Sequence, residues 1–224
     1  MHIPDGILNP YTCILMFVLA FSFLMWGWRG MKRTLPRSFI MLAAVVAAII
    51  LIIQMFEFPV AGGGSTWHIM GSTIVTMILG PYGATISLTV VLIIQALAFG
   101  DGGLTSFGAN VFNMAVIGAL SFFVVKALVK GKTSKKRLTV SVFAASWLSS
   151  ILTAFAVGIQ IGISPLVGDL GGIAVTVPTM LFWYVPTGLI EAIISSSLVV
   201  SLSRIIPEKL CGLTMLKDPI ELGF

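Results

Sequence analysis

Residues 69–99 read IMGSTIVTMILGPYGATISLTVVLIIQALAF, and the fold turns on whether this stretch crosses a membrane once or twice. As one straight helix it would run about 46 Å at 1.5 Å per residue, against a hydrocarbon core of about 30 Å. Gly80-Pro81-Tyr82-Gly83 interrupts it with a strong helix-breaking turn. Charge parity decides the count. The remaining apolar segments lie at about 10–28, 38–58, 110–129, 138–162 and 176–203. All thirteen Lys and Arg fall in Arg29 to Arg37, Lys126 to Arg137 and Arg204 to Lys217. Two crossings within 69–99 place all three basic groups on one side, as the positive-inside rule requires; one crossing splits them. The expectation is an all-α integral membrane bundle of about seven segments, with an external N-terminus and a cytoplasmic C-terminus.

Composition agrees. Of 224 residues, 58% are hydrophobic and 9% charged, where soluble domains average about 25% charged. The mean hydropathy is +1.08. One transmembrane domain, 1–224, is expected. It has an external tail 1–9, an external loop 59–68, and cytoplasmic loops 29–37 and 130–137. The loops are too short for a built-in ATPase. The net charge of +5 comes from membrane anchors, and no basic face with aromatic platforms suggests nucleic acid. Cys13 and Cys211 fall on opposite sides and cannot pair. Residues 1–10 hold no Lys or Arg, so the first apolar run reads as a retained helix and not a cleaved signal.

This topology brings the two histidines, His2 and His68, to the same external side. The amine of Met1 and the amide nitrogen of His2 close a five-membered ring on an ion, and that amide with His2 Nδ1 closes a six-membered one. The three nitrogens lie near one plane because the amide is planar. His68 is the natural fourth donor. Four nitrogens in a square suit Ni(II) or Cu(II), while Zn(II) prefers a tetrahedron. Pro4-Asp5-Gly6 is a turn signal that folds the tail back toward the bundle. On chemistry alone, an incidental His2 in a frayed tail, with His68 capping the interface beside Trp67, is an equal reading.

The start Met1-His2-Ile3-Pro4-Asp5-Gly6 resembles that of the CbiM/NikM family, the cobalt/nickel substrate-capture subunits of energy-coupling-factor transporters. So do Trp67 to Ser72, Leu79-Gly80-Pro81, and Gln95 to Met114, which reads QALAFGDGGLTSFGANVFNM. The likeness is strong over 1–6 and 67–118 and rests on hydropathy and length in the last hundred residues. It implies metal ligation by Met1, His2 and His68. It also implies a transmembrane T subunit, ATP-binding cassette ATPases and a separate small N-type membrane subunit as partners, in a prokaryotic cell membrane. The ion is cargo; no resident cofactor is expected. A cobalt-specific subunit supplying cobalamin synthesis is the alternative, with a secondary cation carrier or channel behind it.

Other polar residues carry weaker expectations. Asp5, Asn110 and Asn113 are candidates for a supporting shell around the metal. The two asparagines lie one helical turn apart, on one face, and helix capping is an equal reading for them. Glu191 within the last span reads as a hydrogen-bonded structural group. Asp5, Asp101 and Asp169 share the external face, with Glu57 near it, so the outer mouth should attract cations. Glu57 and Gln54 read as interfacial, with pinning of the glycine loop as the alternative. Asp101 reads as a turn residue, with lining of the entrance as the alternative, and Gly62-Gly63-Gly64 as freedom for a closing loop. Ala43/Ala47 and Ala44/Ala48 form small-xxx-small pairs on span two. No HExxH motif or carboxylate–histidine cluster supports an intramembrane metalloenzyme.

Overall fold

The computed structural model describes residues 2–34, 39–59, 66–130, 134–164 and 171–217. Helices α1 (Pro10–Thr34) and α2 (Phe39–Gln54) are followed by two short antiparallel strands, β1 (Phe58–Pro59) and β2 (Thr66–Trp67). Then come α3 (Ser72–Ile94), which runs into a π-helical turn at Gln95–Phe99, and α4 (Phe107–Asn110), which continues through a π-helical stretch Val111–Val116 into α5 (Ile117–Val129). The chain closes with α6 (Lys135–Gly162), α7 (Ile173–Ile205) and the short α8 (Cys211–Lys217).

Among the described residues, five helices are long and apolar enough to cross a membrane: Pro10–Thr34, Ser72–Phe99, Phe107–Val129, Lys135–Gly162 and Ile173–Ile205. The expected segments 69–79 and 84–99 are therefore joined in one element, and α2, at 16 residues, is shorter than a full span. The join is not a straight helix. Gly80 breaks α3 with φ 70° and ψ 170°, a region essentially closed to residues with a Cβ. Pro81 then opens the second half, where its missing N–H costs nothing.

Side-chain contacts show where the two halves of α3 go. Tyr82 packs against Gly27 and Gly30 near the basic end of α1. Ser72 meets Gly118, midway along the run that ends at Val129, and Gly71 meets Ile50 and Glu191, the latter midway along α7. The first half, 72–79, is thus a half-helix from the middle of the bundle to one end, and 81–99 returns the whole way. Short α8 packs beneath it, Gly212 against the carbonyls of Thr76 and Met77, and Met215 against Gly80.

The interior is layered. Tyr82, Phe122, Val129, Leu138, Val200 and Leu213 form one apolar cluster, at the end that carries Arg29, Arg33, Lys126, Arg137 and Arg204. Ile3, Leu8, Cys13, Met16, Ala109 and Val157 form another at the opposite end. Helices α6 and α7 are antiparallel neighbours. Small residues let them close up, with Gly158 against Val177 and Gly188 against Ser150, as is usual where lipid supplies no hydrophobic drive between helices. On α2, Ala43 and Ala47 pack inward and Ser87 Oγ donates to the Ala43 carbonyl at 3.3 Å; Ala44 and Ala48 face outward.

Candidate metal site

The site forms at the end of the bundle away from the basic residues, where two chain segments are pinned against each other. The first is the N-terminal tail. Ile3 is 1% exposed and sits in the apolar cluster of that end. Its N–H donates to Asn110 Oδ1 at 2.8 Å, and its carbonyl accepts from Asn110 Nδ2 at 3.1 Å, from Gly103 N at 2.9 Å and from Ser106 Oγ. Asp5 accepts from Leu104 N at 3.0 Å, Thr105 N at 2.7 Å and Thr105 Oγ1 at 2.5 Å. The Thr105 hydroxyl and N–H, then Leu104 N–H, hold its carboxyl below the usual carboxylate range. Asn9 caps α1 by accepting from Thr12 N at 2.8 Å. Gly103 is required by this docking, because a Cβ there would lie 2.4 Å from Asp5 N.

The second segment is the strand and loop that carry His68. Register Phe58↔Trp67 and Pro59↔Thr66 sets Glu57 beside His68 at the open end of the pair. The loop's polar groups are then met one by one from the helices. Tyr184 OH donates to the Thr66 carbonyl at 3.0 Å, and Gln54 Nε2 to the Met70 carbonyl at 2.7 Å. Gln54 is itself held by Gln95 Nε2 at 2.9 Å. Gly71 N donates to Glu191 Oε1 at 3.0 Å, while Ser150 Oγ donates to Glu191 Oε2 at 3.2 Å. Glu191 is therefore the acceptor for the backbone three residues beyond His68. Such satisfied polar groups fix the loop inside an apolar bundle.

The two segments meet at the histidines. The rings of His2 and His68 stack at 5.0 Å between centroids and 17° between planes. His68 is 1% exposed, and the His2 side chain 5%. Burial, with a smaller contribution from the charge on His2, pushes the His68 imidazole well below its usual pKa, which favours the neutral form a metal needs. His68 Nδ1 lies 3.3 Å from the Ile69 carbonyl; an Nδ1–H donated there makes Nε2 the lone-pair nitrogen.

His2 Nδ1 lies 3.1 Å from Asp101 Oδ1. Burial alone would raise the Asp101 pKa, but its hydrogen bond and charge interaction with His2 outweigh that and lower it. His2 Nε2 is buried without a hydrogen-bond partner, a costly arrangement for a polar atom. Donor atoms of His2, His68 and Glu57 all lie within 4.8 Å of one another. Donors bound at about 2.0–2.1 Å stand roughly 3 Å apart when adjacent and 4 Å when opposite. Bringing the three onto one ion requires the side chains to close in.

Asn110 and Asn113 do not share a face as a plain α-helix would have it. Asn110 reaches the tail. Asn113 instead exchanges hydrogen bonds with Gln160, at 2.7 and 2.9 Å, and its carbonyl accepts from Thr153 Oγ1 at 2.9 Å. The π-helical stretch Val111–Val116 begins between them, and its wider turn swings Asn113 toward α6. Asp101 is at the site as His2's partner. Glu57, expected near this external face, also has a carboxylate oxygen close to both histidines. Met1, Gly62 to Gly64 and Asp169 lie outside the described residues.

A family model described as the cobalt uptake substrate-specific transmembrane region, CbiM, matches residues 2–209. The chain belongs to the CbiM family. The match carries well past residue 118, through the last spans where the sequence showed only hydropathy and length. The chain is 37% identical over 203 residues, 89% of its length, to a putative fused nickel transport protein NikMN of Archaeoglobus fulgidus. It is 36% identical over 222 residues, 94% of its length, to the fused nickel transport protein NikMN of Rhodobacter capsulatus. It spans 64% of each of those relatives. A crystal structure of a transition metal transporter superposes with TM-score 0.82 at 30% identity, covering 96% of this chain and 98% of that one. This CbiM-family chain is thus a multi-pass membrane protein of a nickel/cobalt transport family, not of an enzyme family.

Asn110 offers a direct check on the tail's anchoring. Asn110→Ala removes both side-chain bonds to Ile3, leaving a buried N–H unpaired at about 1–3 kcal/mol. Affinity for Ni(II) in a titration is expected to fall roughly ten- to hundredfold, the size seen when the groups orienting a ligand are lost. Unchanged affinity would show that the tail needs no such clamp.

Proposed function

We propose that this chain is the substrate-capture component of an energy-coupling-factor transporter, taking up Ni(II) or Co(II). In this reading the basic end is cytoplasmic and the His2–His68 end is external. Met1 supplies its amine, His2 its amide nitrogen and imidazole, and His68 the fourth nitrogen. The observation that carries the reading is the stacked approach of His2 and His68 at 5.0 Å, from segments far apart in sequence, on a tail clamped through the Ile3 backbone and the Asp5 carboxylate. An unanchored terminal histidine would have no reason to lie buried there.

Because Nδ1 of His2 faces Asp101, taking the ion requires the ring to turn from the carboxylate to the metal. The chain holds no nucleotide motif, so the reading assigns energy to partner ATPases acting through a T subunit, with a small N-type membrane subunit beside them. A square of nitrogens favours Ni(II) over Co(II) on electronic grounds, while the matching family model is described by cobalt uptake.

The test is titration of purified protein with Ni(II) and Co(II). One ion per chain is expected. His68→Ala should weaken binding by about a hundredfold or more, with circular dichroism and thermal midpoint little changed. Equal affinity in His68→Ala would remove His68 from the coordination sphere.

A further inference from the structure

The geometry points to Gln95 as the common anchor of both arms of the site, with Gln54 as the link that carries its hold to the His68 loop. Both are positioning residues and touch no ion. This rests on the reading of His2 and His68 as ligands and adds what sets the spacing between them.

Gln95 opens the π-helical turn Gln95–Phe99 at the end of α3 and is fully buried. Its backbone carbonyl accepts from Gly100 N and from Asp101 N, the latter at 3.0 Å. That closes the turn and fixes the backbone of Asp101, whose Oδ1 stands 3.1 Å from His2 Nδ1. The Gln95 side chain serves the other arm. Its Nε2 donates to Gln54 Oε1 at 2.9 Å, and Gln54 Nε2 donates to the Met70 carbonyl at 2.7 Å, two residues beyond His68. One residue therefore holds the neighbourhood of each histidine.

The relay has a fixed direction. The Met70 carbonyl can only accept, so Gln54 must turn its NH2 group toward it. The Gln54 oxygen then faces Gln95, which must present its own NH2 group. Both glutamines are buried, so a cut anywhere leaves a polar group unpaired inside the bundle. Gln95 Oε1 has no hydrogen-bond partner among the described residues, and the bond to Gln54 is the one this side chain makes. The stacked rings, 5.0 Å apart, are thus referred to a single point at the end of α3. Their separation is set by a short chain of bonds, which is what a donor set needs if it is to be ready before the ion arrives.

The experiment uses the full chain in lipid nanodiscs, isotopically labelled on histidine. The chain has two histidines, so the ring signals in nuclear magnetic resonance report His2 and His68 alone. The ion-free unaltered protein is expected to show contact between the rings. Gln95→Met and Gln54→Met keep the side-chain length and cut the relay. Each should shift the His68 signals, weaken the ring contact and lower Ni(II) affinity roughly tenfold. The double variant should cost little more than Gln54→Met, because one cut already severs the chain. Gln160→Met is the control. It breaks a buried amide pair with Asn113 that bonds to neither loop, and should lower the thermal midpoint while leaving the histidine signals in place. Unmoved His68 signals in Gln95→Met, fully additive costs in the double variant, or an equal shift in Gln160→Met would each overturn the relay. Should the double variant fail to fold, the single variants and the control decide. Rings that part while Ni(II) affinity holds would uphold the relay and remove the histidine pair from the ligand set.

Discussion

A single residue added ahead of Met1 is expected to abolish Ni(II) and Co(II) binding while leaving the fold intact. The addition turns the amine into an amide, which on the proposed ligand set removes one of four nitrogens and breaks the five-membered chelate ring. Ile3 and Asp5 keep their bonds to Asn110, Gly103, Leu104 and Thr105, so His2 should remain beside His68. That makes the experiment selective, since it alters one donor and spares the scaffold. Calorimetric titration of the native and extended proteins, with mass spectrometry to establish each terminus, gives the readout. An extended protein that binds with undiminished affinity would remove the amine from the site, leaving an ion held by side chains.

The second large effect is expected from Gly80→Val. Gly80 has φ 70° and ψ 170°, where a β-branched residue is strained by about 1–3 kcal/mol. Its Cβ would also stand 2.7 Å from the Met215 sulfur, near the end of a flexible side chain that can shift, so packing adds less than the backbone strain. Together these give about 2–3 kcal/mol, or roughly 5–10 °C in thermal midpoint for a chain of this length. Unfolding followed in detergent micelles measures it. A midpoint equal to that of the unaltered protein would mean that the break at Gly80 is not required. Met215→Ala in the same background should recover the packing part of the loss and leave the backbone part.

Much of the fold was legible because the signals that set it are local. Gly80-Pro81 marks the break in α3 on its own chemistry, and the three basic groups fall at one end because charge is excluded from the apolar middle. Pro4-Asp5-Gly6 announced a turn, and the tail does fold back at Asp5. What escaped depends on geometry that a sequence does not print. The strand register that sets Phe58 opposite Trp67 pairs two separate segments, and no spacing rule predicts it. The π-helical stretch at Val111 separates Asn110 from Asn113 by a change of helical pitch, which a three-residue interval cannot reveal. Short α8 lies in a segment read only as basic, yet Leu210, Leu213 and Met215 are buried in the lower core.

The half-helix 72–79 has a consequence for the order of assembly. Eight residues of α-helix extend about 12 Å, less than half the hydrocarbon core, so this segment cannot stand alone as a stable span. The loop before it, 66–71, has non-helical backbone whose polar groups depend on Gln54, Tyr184 and Glu191, partners supplied by α2 and α7. In lipid such backbone is tolerated only within protein. The longer helices must therefore insert and gather first, and α7 is made after the other long helices of the described residues. His68 reaches its place only after that late arrival. If His68 is a ligand as proposed, the ion site is completed late in folding, and the capacity to bind metal reports that the bundle has closed.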